Sequence, residues 1–317
     1  MTHATVDLAG LTTSAMGLGC MGMSSVYGAA DWEESVAVIR RAVELGVTMI
    51  DTAGAYGAGH NEVLVGRAVA GRRDQVRLAT KAGMDFSSGA LELRGEPAYL
   101  KAAVDASLLR LGVEHIDLFY LHRVSPATPV EESVAALAEA VQAGKIGRIG
   151  LSEATGEQLR AAHAVHPITA VQSEYSVWTR DPEATVVEAA RELGVGLVAY
   201  SPLGRGFLTG TVDVAQLAPG DGRRRLPRFS ADAATRNNAI TEVVREIAAR
   251  HDASAGQIAI AWVAAQGSRL GVPVIPIPGT KRLKWLEENA AALDVALTDA
   301  DLAALDGLAQ QVAGARY

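Results

Sequence analysis

Four side chains that could move a proton stand just beyond apolar runs of the chain. Asp51 directly follows one such run, and Tyr56 comes shortly after it. Lys81 and His122 directly follow the next two runs. The carboxyl ends of parallel strands meet on one rim of a barrel. The sequence therefore predicts a carboxylate, a phenol, an ammonium and an imidazole close together.

Taken singly, these residues also have ordinary interpretations. Asp51 could cap the following helix, Tyr56 could be a loop tyrosine, and His122 could be a rim histidine bonded to its neighbours. Lys81 fits such an explanation less well, because an ammonium without a partner loses solvation at a barrel mouth. Asp51 would compensate for that loss, so the combination indicates chemistry.

The combination is typical of proton donation to a carbonyl oxygen. A tyrosine has a pKa of about 10, and the ammonium of Lys81 is expected to lower the pKa of Tyr56. Asp51 would keep Lys81 charged, and a neutral His122 could hydrogen-bond the carbonyl oxygen. The set includes no nucleophile for the carbonyl carbon, so we expect a hydride from a bound nicotinamide.

Other residues on the same rim suit such a cofactor. Ser152 and Gln172 follow the next two apolar runs and could hydrogen-bond a carboxamide. Tyr200 could stack on a flat ring. Three glycines in the following segment would let backbone amides approach a pyrophosphate, namely Gly204, Gly206 and Gly210.

A basic cluster follows the last apolar run. Lys281, Arg282 and Lys284 stand at the start of a predicted helix. A helix N-terminus and these cations would favour the 2′-phosphate of NADP(H), which we therefore expect rather than NAD(H). A solvated helix face is the alternative interpretation.

The segment 17–22 has the form G-x-G-x-x-G without the setting of a dinucleotide-binding fold. That fold needs a helix opening from the glycines and an acidic residue about 20 positions on. Residues 23–30 are instead a predicted loop, and Asp51 lies further away. We interpret 17–22 as a mouth loop beside the substrate, with Cys20 as a small rim side chain. No histidine lies near Cys20 in sequence, so we do not expect it to be a nucleophile.

Eight strand-like runs alternate with helical patterns along the chain. They cover 15–18, 47–50, 76–80, 116–121, 148–151, 168–171, 195–200 and 272–277. Such alternation predicts a parallel sheet, and eight units favour one α/β domain over 1–317, a (β/α)₈ TIM barrel. A hairpin at 6–11, an irregular segment at 201–236 and an extra helix at 298–311 complete the prediction.

Cap residues predict where several helices begin and end. Asp31 and Glu34 have the spacing of a capping box, and Gly46 would end that helix. Pro97 would open another helix, which stops before Gly112.

Composition excludes several classes of partner. A net charge of −7 argues against nucleic-acid and anionic-membrane surfaces. The single cysteine allows no intrachain disulfide. Residues 1–10 lack the apolar run of a secretory signal, and no stretch approaches the ~20 apolar residues of a membrane span. We therefore expect a cytoplasmic protein, and the scattered histidines predict no zinc or iron site.

The chain closely resembles the aldo-keto reductase family from 17 to about 308. The nearest branch is similar to the bacterial and plant members whose first loop reads Gly-Leu-Gly-Cys-Met-Gly-Met-Ser. The supporting segments are Ile-Asp-Thr-Ala at 50–53, Tyr-Gly at 56–57, Ala-Thr-Lys at 79–81, Leu-His-Arg at 121–123, Gly-Lys-Ile at 144–146, Gly-Leu-Ser-Glu at 150–153, Tyr-Ser-Pro-Leu-Gly-Arg-Gly at 200–206, Ile-Pro-Gly-Thr-Lys at 277–281 and Leu-Glu-Glu-Asn at 286–289.

The resemblance implies a (β/α)₈ fold and reduction of an aldehyde or ketone with NADPH. It implies catalytic roles for Asp51, Tyr56, Lys81 and His122. It implies cofactor contacts for Gly19, Cys20, Met21, Asp51, Ser152, Gln172, Tyr200, Ser201, Leu203, Gly204, Gly206, Gly279, Thr280, Lys281, Arg282, Trp285, Glu288 and Asn289.

Two positions depart from many relatives. Gly54 stands where many have Asp, which predicts a more flexible loop at Tyr56. Glu153 stands where many have Asn, which weakens the expectation of a carboxamide contact there. The loops at 21–27, 86–95 and 223–229 are expected to choose the substrate.

Two other functions stay open. A lysine at a strand end, such as Lys81, could form the Schiff base of an aldolase, although Asp51 would keep it charged. The barrel could also be a nucleotide-sensing regulatory subunit, against which the complete set of four residues argues.

Overall fold

A ring of short parallel strands forms the centre of the molecule. The computed structural model describes residues 4–24 and 26–317, and twelve strands lie in that part of the chain. The strands are β1 (Thr5–Leu8), β2 (Leu11–Ser14), β3 (Gly17–Gly19), β4 (Met49–Asp51), β5 (Arg77–Ala82), β6 (Met84–Asp85), β7 (Glu92–Leu93), β8 (Leu118–Leu121), β9 (Ile149–Ser152), β10 (Ile168–Glu174), β11 (Gly196–Tyr200) and β12 (Val274–Ile277). The ring consists of β3 to β5 and β8 to β12, while β1 pairs with β2 and β6 with β7 in antiparallel hairpins.

Helices connect the ring strands and pack around them. Between Tyr200 and Ala231 the chain forms four short 3₁₀ helices, at Gly204–Thr209, Val214–Gln216, Gly222–Arg225 and Pro227–Phe229. The α-helices of the described residues are α1 (Trp32–Glu44), α2 (His60–Val69), α3 (Pro97–Leu111), α4 (Val130–Gln142), α5 (Gly156–Val165), α6 (Asp181–Thr185), α7 (Val187–Leu193), α8 (Ala231–Arg250), α9 (Ala255–Leu270), α10 (Leu283–Ala290) and α11 (Asp299–Asp306).

The ring closes between its first and last strands. Gly19 at the end of β3 forms a parallel bridge with Gly279, and its amide donates to the carbonyl of Pro278 at 3.2 Å. A Cβ on Gly279 would lie 2.8 Å from the carbonyl oxygen of Gly19, so this approach requires glycine. Eight parallel strands with helices outside form an α/β barrel, and the predicted fold class is confirmed.

Apolar side chains fill both the inside of the ring and the space under the helices. The inner cluster includes Met49, Tyr120 and Val198, and Leu8 and Leu11 of the first hairpin pack against it. Leu8 touches the start of β11, so the hairpin covers the amino-terminal end of the barrel. Burial of one such leucine stabilises the fold by about 2 kcal/mol. The carboxyl ends of the strands remain as the open rim.

All eight predicted runs are strands, and their ends shift by a few residues only. The first hairpin turns at Gly10, whose φ is 84°. Pro97 opens α3, and Gly112 ends it in the left-handed conformation, as predicted. The segment predicted to be irregular as far as 236 already becomes helical at Ala231, where α8 begins.

The predicted capping box of the first helix forms only in part, whereas the last α-helix has a complete one. Asp31 accepts from the amide of Glu34, but the Glu34 carboxylate pairs with Arg282, so only half of the predicted box forms. Thr298 and Asp301 form a complete box at the start of the C-terminal helix.

Residues 1–3 and 25 lie outside the described residues. They include part of the N-terminal stretch 1–10 and part of the loop 21–27 that is predicted to choose the substrate.

Candidate active site

Lys81 is the centre of the predicted catalytic group. Its ammonium donates to Asp51 Oδ1 at 2.6 Å, to the carbonyl oxygen of Thr52 at 2.8 Å and to the Tyr56 hydroxyl at 3.2 Å. An ammonium has three protons, so every one has an acceptor. Lys81 is inaccessible to solvent, and Asp51 is nearly so. The parallel pairing of β4 with β5 brings the two residues to the same rim.

Gln172 holds the second oxygen of the Asp51 carboxylate. Its side-chain nitrogen donates to Asp51 Oδ2 at 2.9 Å, so each oxygen of this buried group accepts a hydrogen bond. The sequence suggested a carboxamide contact for Gln172, and in this structure its nitrogen is already bonded to Asp51. Gln172 thus positions the carboxylate that faces Lys81.

His122 lies edge-on to the ring of Tyr56. The two ring centroids are 5.8 Å apart with an interplanar angle of 82°. His122 Nδ1 is buried and has no hydrogen-bond partner among the described residues. Burial, together with the charges of Lys81 and Arg123, holds the pKa of His122 well below its ordinary value. The imidazole is therefore neutral at physiological pH.

The net direction of the Tyr56 pKa differs from the sequence-based expectation. Burial raises the pKa of Tyr56, and the charge of Lys81 opposes this without reversing it. Burial by itself would lower the pKa of Lys81, but the charge of Asp51 and the hydrogen bonds to Asp51 and Tyr56 leave it raised overall. Tyr56 therefore keeps its proton and Lys81 its charge at neutral pH.

A cavity of about 870 Å³ opens above these residues on the carboxyl rim. This volume is within the range of small-molecule and cofactor sites. Asp51, Tyr56 and His122 line the cavity, whereas Lys81 lies beneath Tyr56 and does not reach its wall. Most residues predicted to contact a cofactor also line it, namely Gly19, Met21, Ser152, Gln172, Tyr200, Ser201, Leu203, Gly206, Gly279, Thr280, Lys281, Arg282, Trp285, Glu288 and Asn289.

Two predicted cofactor residues do not line the cavity. The prediction of Cys20 as a rim side chain is wrong, because its thiol is fully buried and faces the carbonyl of Leu18. Burial raises the pKa of the Cys20 thiol, so it stays protonated. Gly204 packs behind the wall, where an added Cβ would lie 2.7 Å from the ring of Trp178.

The predicted phosphate-binding cations already have partners within the protein. Lys281 Nζ donates to the carbonyl oxygens of Tyr27, Gly28 and Ala29, at distances from 2.5 to 3.2 Å. Arg282 pairs with Glu34. Lys281 thus ties the loop after β3 to the segment after β12, on the wall of the same cavity.

A contact between the C-terminal tail and the rim was not predicted. Arg316 pairs with Glu153 and with Glu174, and Tyr317 lies 3.0 Å from the Tyr200 hydroxyl, oxygen to oxygen. Glu153 thus contributes to holding the tail. The contact joins residues 163 positions apart, and no local pattern indicates it.

Arginines on the cavity wall were also missed. Arg123 directly follows His122 and donates to Ser152 Oγ at 3.1 Å. Arg205 and Arg223 line the same cavity. The rule that strand ends carry the site would have found Arg123 had it been applied one residue further along.

Known proteins and a family model match this chain over nearly its whole length. A model of the Aldo/keto reductase family matches residues 15–310. The chain is 42% identical over 314 residues to the probable aldo-keto reductase 1 of Glycine max, which covers 97% of this chain and 89% of that protein. The chain belongs to the aldo/keto reductase family. Membership makes it an oxidoreductase that acts on small carbonyl compounds with a nicotinamide cofactor.

Solved structures of aldo-keto reductases share this fold. The glycerol dehydrogenase AKR11B4 of Gluconobacter oxydans superimposes with a TM-score of 0.87 at 28% identity, over 97% of this chain and 95% of that one. The holo form of the aldo-keto reductase AKR11C1 of Bacillus halodurans gives 0.78 at 26% identity, over 99% and 98%.

Within residues 4–24 and 26–317, this aldo-keto reductase has neither a candidate metal-binding group nor a candidate membrane-spanning helix. Its histidine, cysteine, aspartate and glutamate side chains form no group of three there that could hold a metal ion. None of the helices in this part of the chain combines the length and the apolar character that a membrane crossing requires.

Proposed function

We propose that this chain reduces an aldehyde or ketone to the alcohol with NADPH, and that Tyr56 donates the proton. The observation that carries the proposal is the position of the Lys81 ammonium. It lies 2.6 Å from Asp51 and 3.2 Å from the Tyr56 hydroxyl, beneath a cavity that Tyr56 and His122 line.

Each residue of the group has one role. Tyr56 gives its hydroxyl proton to the carbonyl oxygen of the substrate, and the Lys81 ammonium stabilises the phenolate left behind. Asp51 keeps Lys81 protonated. His122 is neutral and offers a hydrogen bond that orients the carbonyl oxygen. Because burial raises its pKa, Tyr56 keeps its proton until negative charge develops on that oxygen.

The cavity also suits the cofactor. A bound nicotinamide supplies the hydride. The cations Lys281 and Arg282 lie on its wall, where the 2′-phosphate of NADP(H) would replace part of their present contacts with Glu34 and with the carbonyls of 27–29. The residues proposed to hold the cofactor are Gly19, Met21, Ser152, Gln172, Tyr200, Ser201, Leu203, Gly206, Gly279, Thr280, Lys281, Arg282, Trp285, Glu288 and Asn289.

We also propose a cytoplasmic location. Its support is the single cysteine of the sequence, because disulfide-poor chains are typical of reducing compartments.

An aldolase mechanism receives no support from the site. Lys81 donates to three oxygens and its pKa is raised, so its nitrogen has no free electron pair for a carbonyl carbon. Borohydride treatment with substrate should leave Lys81 unmodified.

The decisive experiment compares Tyr56→Phe with Tyr99→Phe. Tyr99 is half-buried and does not line the cavity, so it is a matched loss of a phenol. Tyr56→Phe should slow carbonyl reduction by about 10² to 10⁴ while NADPH still binds. Tyr99→Phe should react at close to the rate of the unchanged protein. Turnover that survives in Tyr56→Phe would show that another group donates the proton.

A further inference from the structure

One arginine at the catalytic end of the cavity has no part in the proposed reaction. Arg123 directly follows His122, is half-buried and lines the cavity. Its Nη1 donates to the carbonyl oxygen of His122 at 2.6 Å and to Ser152 Oγ at 3.1 Å. These two bonds hold the guanidinium beside the histidine that orients the carbonyl group.

Arg123 differs from the other three arginines of the cavity wall in lacking an acidic partner. Arg205 pairs with Glu174, Arg223 pairs with Asp221, and Arg282 pairs with Glu34; these are the three whose charge is balanced. Within residues 4–24 and 26–317 no carboxylate forms an ion pair with Arg123, and its Nη2 and Nε make no hydrogen bond. Two parallel N–H donors of a guanidinium match the two oxygens of a carboxylate.

The charge of Arg123 acts on Tyr56 and His122, the two groups proposed to face the carbonyl oxygen of the substrate. Burial is the larger influence on both Tyr56 and His122, raising the pKa of the first and lowering that of the second. Arg123 adds a downward contribution to each. Because Arg123 bonds to the carbonyl oxygen of His122, an anion bound by Arg123 would lie beside the histidine that orients the carbonyl group.

Apolar side chains border the same place. Ala82 at the end of β5 accepts from the backbone amide of His122 at 2.7 Å, so the segment after β5 adjoins the one after β8. That segment contributes Met84 and Phe86 to the cavity wall, and about half of the Phe86 surface is exposed. A ligand held here would have an apolar body beside its anionic group.

We propose that Arg123 is a specificity-determining residue that binds a carboxylate on the carbonyl substrate, so that the preferred substrates are oxo acids with an apolar body. The proposal rests on the proposed function, because it concerns the substrate of the same reaction. A carboxylate on Arg123 and a carbonyl oxygen on His122 and Tyr56 fix the substrate at two points. A neutral substrate has only the second of these.

The test compares pairs of substrates that differ only in charge. The meta and para isomers of formylbenzoate are each paired with their neutral methyl esters, and kcat/KM is measured by loss of NADPH absorbance. The full chain should prefer the acid of at least one isomer by about tenfold, equivalent to about 1.4 kcal/mol. A ratio formed on one enzyme preparation cancels differences in folding and in cofactor binding.

Variants then assign the preference to Arg123. Arg123→Met should abolish the acid-to-ester ratio through the KM of the acid, and Arg123→Lys should keep part of it. Arg94→Met is the control, because Arg94 lies in the neighbouring loop and does not line the cavity; its ratio should equal that of the unchanged protein. Persistence of the ratio in Arg123→Met would overturn the assignment.

The outcomes separate this proposal from the proposed function. Reduction of the esters without any preference for the acids overturns the role of Arg123 and leaves the reductase activity standing. Absence of turnover with both acids and esters overturns both proposals. If Arg123→Met does not fold, the acid-to-ester ratio of Arg123→Lys decides instead: a partial loss supports the role of Arg123, and an unchanged ratio overturns it.

Discussion

The ammonium of Lys81 and the carboxylate of Asp51 form an ion pair at 2.6 Å inside the protein, with side-chain exposures of 0% and 4%. Removing two charges from water is costly, and their attraction offsets that cost only when hydrogen bonds satisfy the remaining atoms. Thr52, Tyr56 and Gln172 provide those bonds. The ion pair and these hydrogen bonds thus form one unit in which each charge has a partner.

Breaking this unit on one side should be more damaging than removing it entirely. Asp51→Asn leaves the Lys81 ammonium without a counter-charge and should lower the free energy of unfolding by about 3–5 kcal/mol. The double variant Asp51→Asn with Lys81→Met buries no charge and should recover part of that loss. Urea unfolding of the three proteins checks this. Equal losses in the single and double variants would contradict coupling.

The rate of reduction should depend on pH only at alkaline values. His122 has a pKa well below its ordinary 6.5, so it stays neutral and no acid limb appears near that pH. Tyr56 must be protonated to react, and its pKa is raised above the ordinary 10.0, so kcat/KM should fall only as pH rises beyond about 10. Alcohol oxidation should show the opposite slope. A decline on acidification through about 6.5 would mean that His122 is charged.

The cations after β12 should distinguish the two nicotinamide cofactors. Lys281→Ala with Arg282→Ala should weaken NADPH binding by tenfold or more, since a charge-assisted hydrogen bond contributes about 1.5–3 kcal/mol. NADH binding should change by less than about threefold. Lys101→Ala removes a cation that pairs with Glu139 on the helix surface and does not line the cavity, and serves as the control. Titration of protein fluorescence measures each affinity, and an equal loss for both cofactors would refute a phosphate contact.

The contact between the C-terminal tail and the rim should depend on the carboxylate of Glu153. Glu153→Asn removes one carboxylate from Arg316 while leaving Glu174 in place. Exchange of the Ala313 amide, which donates to Asn237 Oδ1 at 2.7 Å, should accelerate by about tenfold, which corresponds to about 1.4 kcal/mol. Glu157→Gln, an exposed change in α5, is the control. Unchanged exchange would show that other contacts hold the tail.

Local patterns were sufficient to find the strands and the core of the site. Each strand is a short apolar run bounded by polar or glycine residues, and parallel pairing necessarily collects the strand ends on one rim. Asp51, Lys81 and His122 could therefore be placed together without coordinates. Cys20 shows the limit of that reasoning, because neighbours distant in sequence decide whether a residue beyond a strand faces the cavity or the core.

The tertiary structure decided which distant residues contact each other and how strongly Tyr56 holds its proton. Gln172 bonds to Asp51 across 121 positions, and Lys281 bonds to Tyr27 across 254. No periodicity relates such residues, since only the closing of the barrel makes them neighbours. The raised pKa of Tyr56 has the same origin. The sequence indicates that a cation lies near this phenol, but the loss of solvation depends on how completely the surrounding chain excludes water.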